Sequence, residues 1–255
     1  MRRVIRFSCS GDTLFGTLDE APGKTGLLIV SGGNEIRVGA HRGMARLAQR
    51  LAARGIPVLR FDRRGIGDST GTNGGFLTSA SDIGCAAATF SAEARIERLV
   101  GFGNCDAATA LALFGASAGI DRLILANPWV IEQQDDLPPA AAIRARYAAK
   151  LKNPREWLRL ARGGVDLRKL AGGLTKVAQT KSEVPDSLAQ RLGAALAASR
   201  LDTAILLAAR DNTAIAFREG WSGPVAVCDT DSHSFAREGD AAWLEEQIFA
   251  AVSRG

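Results

Sequence analysis

Short apolar runs alternate with segments of helical periodicity along most of the chain. The runs are nearly continuous in apolar residues and are followed by turn residues, which is typical of buried strands. They occupy residues 26–31, 56–62, 99–104, 122–126, 203–209 and 225–229. Helical patterns occupy residues 41–54, 77–96, 107–118 and 240–253. This alternation predicts an α/β fold with a mostly parallel central sheet flanked by helices.

Two parts of the chain depart from this alternation. Residues 4–7 and 13–18 show a different spacing of apolar positions, which predicts an antiparallel hairpin ahead of the parallel sheet. Between residues 129 and 200 no strand-like run occurs. We therefore predict a core made of residues 1–128 and 201–255, and a helical lid inserted at residues 129–200.

The predicted insertion is strongly basic. Residues 143–181 contain 11 basic and 2 acidic residues, whereas the whole chain has a net charge of only +5. Such a segment fits a solvated helical face, a lid that attracts anionic substrates, or a surface that contacts a membrane peripherally. Basic and aromatic residues are not interleaved as in nucleic-acid-binding motifs, so nucleic acid is not an expected partner.

Composition narrows the class of protein. Apolar residues make up 46% and charged residues 23% of the 255 residues, as in globular proteins. The longest stretch without charge, residues 107–120, is shorter than the roughly 20 residues that span a bilayer. No apolar segment follows the basic N-terminus, so no signal peptide is expected and a cytoplasmic location is predicted. The four cysteines show no C-x-x-C spacing; we expect neither a metal site nor a disulfide, and no cofactor.

One cysteine lies where a strand meets a helix. The sequence GNCDA, residues 103–107, has the form of the nucleophile elbow G-x-S-x-G, with Cys105 in place of Ser and Ala107 in place of the last Gly. Small residues two positions on either side relieve the crowding at such a strained turn. The helix N-terminus favours a thiolate and a developing oxyanion. The pattern predicts a nucleophile, although a Cys before an Ala-rich helix is also compatible with ordinary packing.

Other segments supply the remaining parts of a catalytic site. Gly33 and Asn34 follow the first parallel strand, where their backbone would join the N–H of Asp106 in an oxyanion hole. Asp211 and His233 each follow a later strand, so the order along the chain is nucleophile, acid, histidine. In this arrangement His233 takes the thiol proton and Asp211 fixes the imidazole tautomer.

Several assignments have alternatives. Asp229 and Asp231 could serve as the acid, but both are close in sequence to His233. Arg37 and His41 are candidate substrate contacts beside the oxyanion loop, and packing at the start of the first helix is the alternative. The turn F-D-R-R-G-I-G-D-S at residues 61–69 is expected to be structural, since its glycines permit a tight loop.

Taken together, these motifs resemble those of the α/β-hydrolase superfamily, and more narrowly those of the cysteine-type hydrolases associated with the exosortase A system. The matching segments are residues 32–33, 36–42, 58–62, 104–107, 157–170 and 231–235. The resemblance implies the α/β-hydrolase fold and a place in bacterial envelope-protein sorting and exopolysaccharide export.

The predicted function is hydrolysis of an ester or thioester of a small acyl substrate. It would use a Cys-His-Asp triad and a covalent acyl-enzyme. An acyltransferase on the same fold, or a ligand-binding or scaffold protein without turnover, is the alternative.

Overall fold

The computed structural model describes residues 1–132 and 187–254. It contains an eight-stranded sheet with the order β1-β2-β4-β3-β5-β6-β7-β8. The strands are β1 Arg2–Cys9, β2 Asp12–Asp19, β3 Thr25–Val30, β4 Val58–Phe61, β5 Arg98–Asn104, β6 Arg122–Ala126, β7 Asp202–Ala208 and β8 Ala226–Cys228. Strand β2 pairs antiparallel with β1 and β4, and every other neighbouring pair is parallel. The predicted hairpin and the predicted α/β-hydrolase fold are confirmed.

Helices cover both faces of the sheet. In the described residues they are α1 Gly43–Ala53, α2 Ala80–Ala94, α3 Asp106–Phe114, α4 Leu188–Ala198, α5 Asn212–Gly220 and α6 Glu238–Ser253. Alternate residues of each parallel strand point to opposite faces, so a continuous apolar run supplies two cores. On β3, Leu27 and Ile29 belong to the core under α1 and α6, whereas Leu28 and Val30 belong to the core under α2 and α3.

Helix α1 begins two residues later than the periodicity predicted. His41 and Arg42 have positive φ values of 52° and 60°, which interrupt a right-handed helix, so a short 3₁₀ turn precedes Gly43. Helix α5 was missed by the sequence analysis, which assigned Asp211 to the end of a strand and did not consider it as the N-cap of a nine-residue helix.

The expectation of free cysteines is wrong for one pair. Cys9 and Cys85 form a disulfide that joins the end of β1 to α2, with a Cα–Cα distance of 5.8 Å. Their separation of 76 residues along the chain hides a proximity that arises when α2 packs on β1. Cys105 and Cys228 are free thiols.

The predicted insertion falls mostly outside the described residues. All 11 of its basic side chains between residues 143 and 181 lie there, as does the predicted lid position. Its C-terminal part is described: α4 packs against α3, and Leu192 is buried in the core. In residues 1–132 and 187–254, no helix is both long and apolar enough to cross a membrane.

Candidate active site

Cys105 occupies a strained turn between β5 and α3. Its backbone has φ 63° and ψ −129°, a conformation that non-glycine residues rarely adopt. The elbow is anchored to the end of strand β6, because the N–H of Cys105 donates to the carbonyl of Ala126 at 3.0 Å. The space is tight: a Cβ at Gly103 would lie 2.7 Å from the carbonyl carbon of Ala107. Glycine at position 103 is therefore required by the turn that presents the Cys105 side chain.

His233 lies between Cys105 and Asp211. Nδ1 of His233 is 3.0 Å from Oδ1 of Asp211, and the Cys105 side chain is the second group, after Asp211, that raises the pKa of the imidazole. Since Nδ1 faces the carboxylate, Nε2 is the ring nitrogen left for Cys105. The three residues predicted as a triad are brought together in the structure.

Asp211 is the acid that faces His233. It is 9% exposed and caps helix α5, with Oδ2 accepting from the N–H groups of Thr213 and Ala214 at 3.0 Å. One carboxylate oxygen of Asp211 thus caps the N-terminus of α5, while the other lies against Nδ1 of the imidazole. The two alternatives bind arginines instead: Asp229 pairs with Arg210 and Asp231 pairs with Arg237.

The surroundings of His233 favour its charged form. The hydrogen bond to Asp211, and then that to Cys105, raises the pKa of His233 to about 10, against an opposing effect of burial. The imidazole is therefore an imidazolium at neutral pH, with a positive charge beside Sγ of Cys105. The imidazolium is thus positioned to give a proton to a group bound beside Cys105.

Two asparagines hold the backbone of the histidine loop. Nδ2 of Asn104 and Nδ2 of Asn127 each donate to the carbonyl of His233 at 3.1 Å, and Oδ1 of Asn127 accepts from the N–H of Ala208 at 2.8 Å. Asn127 is fully buried with φ 42°, in the left-handed region that Asn tolerates better than most residues. The sequence analysis missed Asn127; its only signal was a polar residue directly after the buried strand β6.

The oxyanion loop lies against the elbow. A Cβ at Gly32 would lie 2.6 Å from the carbonyl oxygen of Asn104, so only glycine permits this approach. The N–H of Gly33, a predicted oxyanion donor, donates to Oδ1 of Asp106 at 2.7 Å. The predicted donor Asn34 is exposed, and its side-chain oxygen accepts from Nδ2 of Asn73 at 2.9 Å.

The two predicted substrate contacts behave differently. The guanidinium of Arg37 donates to Thr17 at 3.0 Å, to Asp68 at 2.8 Å and to the fully buried Asp62. These contacts join Arg37 to the 61–69 turn, and its role as a substrate contact stays a prediction. His41 is exposed at the 3₁₀ turn, so a role in binding substrate stays a prediction.

Comparison with known proteins agrees with this architecture. Residues 24–200 match the family model Hydrolase_4, described as serine aminopeptidase, S33. Among curated protein sequences, none is significantly similar to this chain.

Solved structures resemble the chain over almost its full length. The α/β hydrolase GrgF from Penicillium sp. sh18 has a TM-score of 0.65 at 16% identity, covering 100% of this chain and 98% of that one. The Pyrococcus furiosus esterase Pf2001 has a TM-score of 0.64 at 15% identity, covering 100% and 91%. The thioesterase domain from the curacin biosynthetic pathway has a TM-score of 0.59 at 15% identity, covering 98% and 99%. At these identities the likeness concerns the fold.

Proposed function

Because the chain belongs to the serine aminopeptidase S33 (Hydrolase_4) family and is an α/β hydrolase, we propose that it hydrolyses carboxylic esters or thioesters with Cys105 as the nucleophile. The observation that carries this proposal is the position of the His233 imidazole, 3.0 Å from the Asp211 carboxylate and with its pKa raised by both Asp211 and Cys105, beside a cysteine at a strained elbow. A structural cysteine needs neither an imidazolium partner nor an unfavourable backbone conformation.

In the proposed reaction, acylation starts from a thiolate on Cys105 beside the imidazolium of His233. The thiolate Sγ of Cys105 attacks the substrate carbonyl carbon, and the carbonyl oxygen becomes an oxyanion near the backbone N–H groups of Gly33 and Asp106. The tetrahedral species collapses as the bond to the leaving oxygen or sulfur breaks. The imidazolium of His233 gives its proton to that leaving group, which departs as an alcohol or thiol. The acyl group is then held as a thioester on Cys105.

Deacylation restores the starting state. The now neutral His233 takes a proton from water, and the hydroxide adds to the thioester carbonyl. Collapse expels the thiolate of Cys105, which again faces the imidazolium, and the carboxylic acid leaves. Asp211 holds the same tautomer through both halves of the reaction.

Esters and thioesters suit this nucleophile better than amides. A thiolate is a better leaving group than an amine, so a tetrahedral species formed from an amide expels the thiolate more readily than the amine. Ester and thioester leaving groups compete with it on more equal terms. Transfer of the acyl group to an alcohol or thiol other than water is the second candidate, since a thioester intermediate supports both outcomes. The exosortase and exopolysaccharide context is proposed from the resemblance of the motifs alone.

The test compares turnover of matched butyryl p-nitrophenyl ester, butyryl thioester and butyryl anilide. We expect the first two to be hydrolysed and the anilide to be hydrolysed at least about 100-fold more slowly. Cys105→Ala should abolish turnover, while Cys228→Ala, at the other free thiol, should retain it. Turnover that survives Cys105→Ala contradicts the proposal. Adding glycerol and measuring butyryl glycerol against butyrate separates transfer from hydrolysis.

A further inference from the structure

The oxyanion loop and the elbow are joined by a carboxylate. Asp106 is the residue directly after Cys105, and its Oδ1 accepts from the N–H of Gly33 at 2.7 Å. That N–H is the donor which the proposed mechanism assigns to the substrate oxyanion. A single N–H cannot serve a carboxylate and an oxyanion fully at the same time. The side chain of Asp106 therefore occupies the place of the substrate oxygen at this donor.

The position of the carboxylate is also electrostatically unsuitable for the reaction. A negative group on the donor of the oxyanion hole would repel the charge that develops on the substrate oxygen. It cannot stay on Gly33 while the tetrahedral species forms there. The side chain of Asp106 must find another partner during acylation.

Arg63 supplies that partner. Its side chain is 4% exposed, its Nη2 donates to the carbonyl of Gly33, and the same Nη2 lies 3.9 Å from Oδ2 of Asp106. Its Nη1 is buried and has no hydrogen-bond partner among the residues that the structure describes. An unsatisfied buried guanidinium N–H is costly, and a carboxylate is its preferred acceptor. The guanidinium thus offers the Asp106 carboxylate a second site a short distance from the first.

We propose that Asp106 closes the oxyanion hole of the resting enzyme by binding the N–H of Gly33, and that acylation requires its carboxylate to shift onto Arg63. The proposal rests on the proposed function. It makes Asp106 and Arg63 a pair that sets how readily the site accepts a carbonyl oxygen. A substrate that binds tightly enough to displace the Asp106 carboxylate from the N–H of Gly33 is acylated. A weakly bound ester leaves the carboxylate in place and reacts slowly.

The test separates oxyanion stabilisation from thiolate reactivity. Acylation by p-nitrophenyl butyrate forms an oxyanion, whereas alkylation by iodoacetamide at the same thiolate does not. The ratio of the acylation to the alkylation rate constant of Cys105 therefore reports the oxyanion hole, and general effects on the thiolate cancel. Asp106→Asn keeps the shape of the side chain but replaces the charged acceptor by a weaker neutral one.

We expect the ratio to rise about tenfold in Asp106→Asn, in line with the loss of a charge-assisted competitor, and at least as much in Asp106→Ala. Arg63→Lys, which lacks Nη1, should lower the ratio, and adding Asp106→Ala to it should restore the ratio. Thermal unfolding of each variant checks that it is folded.

An unchanged or lower ratio in Asp106→Asn overturns the proposal, and a fall in both Asp106 variants would make Asp106 a support for the loop instead. Failure of the proposed function looks different: p-nitrophenyl butyrate would then leave no acyl group on Cys105 of the unaltered protein, although iodoacetamide still alkylates it.

Discussion

Replacing Asp211 by Asn should disable the proposed triad while leaving the helix behind it intact. Asn can still accept from the N–H groups at the start of α5, as Asp211 does now, and Asn caps helices about as well as Asp. Its amide nitrogen would then face Nδ1 of His233, which must become an acceptor. The imidazole is left in the wrong tautomer and without its charged partner.

The raised pKa of His233 indicates how strongly the folded protein stabilises the imidazolium that Asp211 faces. Its pKa is raised from 6.5 to about 10, which is about 5 kcal/mol at face value. The His233 side chain is 38% exposed, so solvent screening reduces this to about 2 kcal/mol. The bond to Asp211 is the first of its two causes and the bond to Cys105 the second. We assign about 1.4 kcal/mol of this stabilisation to Asp211, and its loss together with the wrong tautomer predicts at least about a tenfold fall in kcat/KM.

The assay is kcat/KM for p-nitrophenyl butyrate at neutral pH, together with the free energy of unfolding above about pH 10, where the imidazole of His233 has lost its charge. Asp211→Asn should be slow but near wild-type in stability, whereas Asp211→Ala should also lose about 1 kcal/mol from the missing cap. Asp229→Asn, at an exposed partner of Arg210, is the matched control and should leave the rate unchanged. If Asp229→Asn slows the reaction and Asp211→Asn does not, the assignment of the acid is refuted.

Four further predictions follow from the same contacts. Asn127→Ala should lower the free energy of unfolding by about 2–3 kcal/mol, measured by urea titration, since it leaves the buried N–H of a neighbouring strand without its acceptor; it should also lower kcat more than it changes KM. Because the folded chain raises the pKa of His233, the protonated imidazole stabilises the fold fully below about pH 6.5, and this stabilisation is lost as pH rises to about 10. The difference in free energy of unfolding between the unaltered protein and His233→Gln should therefore shrink over that range. Iodoacetamide should modify Cys105 before Cys228, because burial raises the pKa of the Cys228 thiol; equal rates would contradict this. If the charge of residues 143–181 attracts anionic substrates, salt should lower kcat/KM for an anionic ester more than for a matched neutral one, as the Debye length falls to about 8 Å.

The fold could be predicted because its signals are local. Strand β6 lies at residues 122–126 as predicted. A short, continuous apolar run between turn residues is typical of a strand in a sheet that is covered on both faces. The elbow and the acid could be placed for a related reason. The carboxyl ends of parallel strands lie at the same edge of the sheet. The residues after β5 and β7 and the loop after β8 must therefore lie close together at that edge.

Contacts between distant segments could not be predicted in this way. Asn127 acts by joining the end of β6 to β7 and to the His233 loop, and no spacing along the chain encodes that. The same holds for the carboxylate of Asp106, whose partner Gly33 is 73 residues away. The sequence predicted that the residue after the nucleophile donates its N–H, but its side chain faces the oxyanion loop only once β3 and β5 pair side by side.

The most direct measurement is the mass of the intact protein during turnover. The protein is mixed with p-nitrophenyl butyrate, quenched in acid within the first turnovers, and analysed by mass spectrometry before and after digestion. We predict a single butyryl adduct on the peptide that contains Cys105, absent from Cys105→Ala and lost with time in the unaltered protein. Hydrolysis that continues with no adduct on Cys105, or an adduct on another residue that turns over at the same rate, would contradict the central claim that this cysteine is the nucleophile.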